Sequence, residues 1–79
     1  MDYYYRMTEY SKGVYTYAYS RKTMALDGSV SYDTETGDVK LKKLCTLDKD
    51  IPGAGERAED IFYTLVSEGM PTELHIDLT

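Results

Sequence analysis

The chain has 79 residues, 42% of them hydrophobic and 29% charged, with a net charge of −5 at neutral pH. That length admits one domain, residues 1–79, since a single core stops growing only at about 250 residues, and the ordinary composition argues against disorder. The negative balance argues against direct nucleic-acid binding, which needs Lys and Arg to displace counterions from a phosphate backbone.

The charge is unevenly spread. Residues 1–43 hold seven Lys/Arg and six Asp/Glu, whereas residues 44–79 hold two and eight. The aromatic content is also skewed, with nine Tyr against one Phe and no Trp, so most of the aromatic area carries a hydroxyl that needs a partner. One cysteine, Cys45, precludes an internal disulfide, and with no signal-peptide pattern the expectation is a reducing, cytoplasmic setting. No run reaches the ~18 apolar residues of a membrane span.

In chain order, Asp2 to Tyr10 is rich in β-formers, with Tyr3, Tyr5 and Met7 on one face and Tyr4, Arg6 and Thr8 on the other. Ser11-Lys12-Gly13 reads as a hairpin turn, and a second strand runs from Val14 to about Arg21. There Tyr15, Tyr17 and Tyr19 alternate with Val14, Thr16, Ala18 and Ser20. Lys22 to Asp27 is less regular, Asp27-Gly28 signals a turn, and Ser29 to Asp33 is a third strand. Asp33 to Gly37 reads as a type I turn closed by a left-handed glycine. Asp38 to about Leu47 is the fourth strand. Val39 and Leu41 share a face but Leu44 has the opposite parity, which predicts a β-bulge near Lys42 or Lys43.

Thr46 to Ala54 connects into a helix over Gly55 to Gly69, where Ala58, Ile61, Phe62, Leu65 and Val66 form an apolar stripe at helical spacing. Asp50 and Glu56 suit its N-terminus, and Gly69 followed by Pro71 stops it. Glu73 to Leu78 then alternates Leu74, Ile76 and Leu78 inward against His75 and Asp77 outward. The predicted order is ββββαβ: an α+β fold with one mainly antiparallel sheet of four to five strands and an amphipathic helix on one face. The other face is left for solvent, a loop or an interface.

Few residues here suit catalysis, so the expectation is a non-enzymatic protein without cofactor or metal. A Cys45–His75 nucleophile pair requires the fourth and last strands to lie side by side. Asp48 to Glu59 places acids at positions 1, 3, 9 and 12 and glycine at position 6 of a calcium loop, but Pro52 at position 5, Gly55 at position 8 and the lack of a preceding helix favour an acidic connection.

The tyrosine row admits two placements. Tyr15, Tyr17 and Tyr19 lie beneath Ile61, Phe62 and Leu65, or the small residues Val14, Thr16 and Ala18 lie there and the tyrosines stand on the open face. The difficulty of satisfying a row of hydroxyls in a small core favours the second, which makes the row a binding surface. The acids Asp48, Asp50, Glu56, Glu59, Asp60, Glu68, Glu73 and Asp77 are answered nearby only by Lys49 and Arg57. Such a field attracts a basic partner.

With its short length, acidic helix carrying Glu56, Glu59 and Asp60, and aromatic sheet, the chain resembles small acidic anti-CRISPR and other phage-encoded anti-defence proteins. That resemblance implies a stoichiometric inhibitor of a nucleic-acid-handling effector. Glu56, Glu59 and Asp60 would then pair with a basic protein surface, and Tyr15, Tyr17 and Tyr19 would supply apolar anchoring. The alternative is a self-associating module, a homodimer through the open sheet face or an edge strand.

Overall fold

The computed structural model describes residues 2–21 and 26–77. The expectations for Lys22 and Leu78 lie outside them. Five strands, β1 (Asp2–Ser11), β2 (Val14–Ser20), β3 (Gly28–Asp33), β4 (Val39–Lys43) and β5 (Glu73–Asp77), form one sheet, and α1 (Ala54–Ser67) packs on it. The spatial order is β4-β3-β2-β1-β5, with every neighbouring pair antiparallel. This is the α+β fold of order ββββαβ that the hydrophobic periods predict.

Local chemistry accounts for the joints. Lys12 and Gly13 both take positive φ, 53° and 80°, and join Ser11 to its cross-strand partner Val14 in the primed two-residue turn that matches strand twist. After α1, Gly69 (φ 84°) lets the chain reverse so that the Met70 N–H donates to the Leu65 carbonyl at 3.0 Å. That bond closes a Schellman cap, and Met70 packs against the core.

The bulge predicted in β4 is present. Val30 pairs with Leu41 while Ser29 pairs with Lys43, so an extra residue is accommodated at Lys42. Leu44 consequently reaches the helix side, where it joins Leu41 beside Gly55. A second shift, between Met7 and Glu9 in β1, has no sequence signal of its own. It turns Tyr10 onto the same face as Tyr15, with ring centroids 4.3 Å apart.

β4 ends at Lys43 rather than near Leu47 because side chains take the next backbone donors. Cys45 N–H donates to the Tyr19 hydroxyl. The Asp27 carboxylate accepts both the N–H and the hydroxyl of Thr46, bonds that hold its carboxyl below the ordinary carboxylate range. The chain then makes a 3₁₀ turn over Thr46–Asp48 and enters α1.

The favoured placement of the tyrosine row is corrected. Tyr17 and Tyr19 are fully buried with Tyr3, Tyr5, Val30, Ala58, Phe62 and Leu65, so the tyrosines lie beneath the helix and the small residues of β2 line the opposite face. The Tyr5, Tyr17 and Tyr19 hydroxyls are satisfied by groups that strand alternation does not reveal. Tyr5 donates to the Ala58 carbonyl on α1 at 3.2 Å, Tyr17 to the Pro71 carbonyl at 2.6 Å, and Tyr19 to Asp48 at 3.3 Å. Phe62 meets Tyr5 and Tyr17 edge-on, at centroid distances of 5.6 and 5.3 Å, a favoured aromatic geometry. Tyr19 can lie flat over its cross-strand partner Gly28 because that residue lacks a side chain. A Cβ there would sit 2.2 Å from the ring.

Candidate functional site

The helical period divides α1 cleanly. Ala54, Ala58, Phe62 and Leu65 are buried. At 100° per residue, Glu56, Asp60, Tyr63 and Ser67 project from the diametrically opposite side, and all four are exposed. No hydrogen bond or ion pair engages the side chain of Glu56, Asp60 or Tyr63 among the described residues. Tyr63 is 47% exposed, one of two tyrosines, with Tyr10, that stand out on the surface. The outer ridge of the helix therefore offers two carboxylates followed by an aromatic ring.

The predicted site residues separate into different roles. Glu56 and Asp60 stand on the ridge. Glu59 leans toward the sheet and is half-buried, and its carboxylate accepts the Leu41 N–H at 3.0 Å. It is occupied in closing the β4 edge. Tyr17 and Tyr19 have no accessible ring to offer a partner. Tyr15 is half-buried beside Tyr10 near the end of the β1–β2 hairpin. Alternation in the second strand attracts attention to Tyr15, Tyr17 and Tyr19 and away from Tyr63, whose signal is its spacing of seven from Glu56 and three from Asp60.

Two of the other acids are committed to partners within the fold. Asp48 is fully buried and bonds Arg21 at 3.0 Å and the Tyr19 hydroxyl. Glu73 pairs with Arg6 at 3.2 Å on the surface. The Arg21 guanidinium also lies 5.4 Å from the Tyr3 ring centroid, within cation–π range. Burial raises the Tyr3, Tyr5 and Tyr19 phenols above their usual value and pushes Tyr17 up to about 12. Burial, with Asp48 close by, also pushes the Cys45 thiol up, away from the thiolate form that makes a cysteine reactive.

Two chemical alternatives from the sequence are not assembled. β4 and β5 occupy opposite edges of the sheet, so Cys45, just beyond β4, and His75 are not brought side by side. Asp48, first in the calcium-like pattern, is turned into the core, and α1 begins at Ala54, in the middle of the supposed loop. Among the described residues no group of three or more His, Cys, Asp or Glu is arranged to hold a metal, and no helix is long and apolar enough to cross a membrane. No family model, curated protein or solved structure matches the chain.

Proposed function

We propose that this chain is a non-catalytic protein-binding module whose contact surface is the outer ridge of α1, with Glu56 and Asp60 facing a basic partner and Tyr63 as the apolar anchor. The observation that carries this reading is the ridge itself. Two carboxylates with no partner among the described residues and a half-exposed ring share one line of the helix directly opposite its buried stripe. Carboxylates in such a position raise the rate of encounter with a basic surface. A tyrosine beside them supplies contact area of the kind that dominates interface energies. The resemblance to anti-CRISPR proteins makes a nucleic-acid-handling effector the class of target, with the chain acting as a stoichiometric inhibitor. Tyr17 and Tyr19 contribute by holding the helix in place.

The test compares immobilised wild-type protein with the Glu56→Gln/Asp60→Asn/Tyr63→Ala variant for capture from host lysate along a salt gradient. The three side chains make no bonds among the described residues, so the variant is expected to match the wild type in circular dichroism and melting. Wild type is expected to retain proteins with basic surfaces that the variant loses and that modest salt releases. Equal capture by both forms would remove the ridge as the binding surface.

A further inference from the structure

The face of the sheet turned away from α1 carries a pocket of about 250 Å³ lined by Val14, Ser31, Asp33, Thr36, Asp38 and Lys40. Strand pairing explains why these residues meet. Val14 faces Asp33 across β2 and β3, and Ser31 faces Lys40 across β3 and β4. The Asp33 N–H donates to the Asp38 carbonyl at 2.9 Å, which carries that register one step past Tyr32 and Val39 and sets Asp33 opposite Asp38. With a period of two, Ser31 and Asp33 on one strand and Asp38 and Lys40 on the next project to the same face as Val14.

Two features of this pocket are not accounted for by bonds within the fold. The first is the acid pair. Like charges directly opposed on one face destabilise a strand pair. Asp33 gives one oxygen to the Glu35 N–H at 2.9 Å, which shapes the turn, but the Asp38 carboxylate has no partner among the described residues. The second is Ser31. It is only 6% exposed, yet its hydroxyl makes no hydrogen bond among the described residues, and it sits in the wall of the pocket. A polar side chain so deeply placed is ordinarily bonded. The Thr36 hydroxyl, by contrast, accepts the Asp38 N–H at 3.3 Å. Lys40 stands exposed beside them, with no carboxylate in ion-pair reach among the described residues.

We propose that this pocket binds a free α-amino acid with a small side chain. The ammonium would lie between Asp33 and Asp38, the carboxylate against Lys40 and the Ser31 hydroxyl, and the side chain against Val14. Charge selects this class. Two facing carboxylates call for a cation, but a bare metal ion such as calcium takes about six to eight oxygen ligands, and the Lys40 ammonium repels it. A lysine or arginine side chain of another protein would answer the acids and leave Lys40 and Ser31 unanswered. A zwitterion answers all four through charge-assisted bonds, the strong kind. Lys40 lies two residues beyond Asp38, about 7 Å along the strand, and its flexible stem lets the ammonium close on the ligand. The space equals that of roughly eight water molecules at about 30 Å³ each, which limits the side chain to about the size of that of valine. The pocket is on the opposite face from the α1 ridge, so either can fail without the other.

The probes are glycine, L-alanine, L-serine and L-valine, each titrated into isotope-labelled protein with amide and carboxyl shifts followed residue by residue. At least one is expected to shift Ser31, Asp33, Asp38 and Lys40 saturably at millimolar concentration. Acetylating its amine or amidating its carboxylate should each weaken binding about tenfold or more. Lys40→Gln should weaken it about tenfold and Ser31→Ala about fivefold, with the fold intact because neither side chain is bonded within it. Asp38→Asn should lose binding and, by removing one of the opposed charges, raise the melting temperature of the free protein. A carboxylate with a merely structural role would not give that pair of effects. Replacing Glu56, Asp60 and Tyr63 should leave amino-acid binding unaltered. No saturable shift with any of the probes, or equal binding of the acetylated or amidated form, would overturn the proposal. So would the same shifts produced by calcium ions while the amino acids are inert, which would make the pocket a plain cation site.

Discussion

Tyr3 and Tyr19 are both fully buried, yet their hydroxyls stand in opposite situations. Tyr19 donates to Asp48 and accepts from the Cys45 N–H at 3.0 Å, linking β2 to the segment that leads into α1. The Tyr3 hydroxyl is buried without a hydrogen-bond partner. Removing a buried partner leaves the remaining group desolvated and unpaired, at a cost of about 1–3 kcal/mol, whereas removing an unsatisfied group relieves that cost. Chemical denaturation should therefore find Tyr19→Phe destabilised by about 1–3 kcal/mol and Tyr3→Phe neutral or more stable by about 1 kcal/mol. Equal losses for both would contradict the bonding described. The sequence marks both residues as aromatic strand positions. It does not distinguish them, because the partners of Tyr19 arrive from Cys45 and Asp48, far along the chain.

At the scale of elements, Glu59 shows how an acidic helix residue can be structural. Its carboxylate occupies the Leu41 N–H, a donor that would otherwise face outward from the edge strand. Glu59→Ala should cost about 1–2 kcal/mol and speed exchange of the Leu41 amide above all others in β4. Unchanged exchange there would mean that the edge is closed by something else. The limits of α1 and the bulge in β4 are legible in the sequence, because Gly69 and the misplaced parity of Leu44 each leave a local mark. The role of Glu59 is not legible. A carboxylate at one side of a helix looks the same whether it meets water or a backbone donor, and only the position of β4 decides. The shift in β1 is hidden for a related reason, since tyrosines at positions 3, 4, 5 and 10 occupy both parities.

At the scale of the whole molecule, the fold buries hydroxyl-bearing rings where most small domains bury Phe or Leu, and this sets an alkaline limit. Tyr3, Tyr5, Tyr17 and Tyr19 all hold their protons above the ordinary range because burial penalises the phenolate. An unfolded tyrosine ionises near about 10. Above that pH the unfolded chain has released protons that the folded chain keeps, so stability is full below about pH 10 and falls as pH rises toward and through the folded values. Phenolate absorbance should accordingly show these four rings ionising together with loss of near-ultraviolet dichroism. Their ionisation while the fold persists would contradict the packing. The same burial moves the candidate surface. Alternation and charge identify an acidic helix and a tyrosine row, but only packing shows that Tyr17 and Tyr19 of that row are core and that Tyr63 stands exposed on the helix.

We propose that Glu56 and Asp60 act on a partner through their charge. The most direct measurement is the association rate with a captured partner as a function of salt, for wild type and Glu56→Gln/Asp60→Asn. Electrostatic steering predicts that wild type associates faster at low salt, that its rate falls steeply as salt rises, and that the variant is slower with a flatter dependence. Identical rates and identical salt slopes would contradict it and leave the two carboxylates as a solvated face.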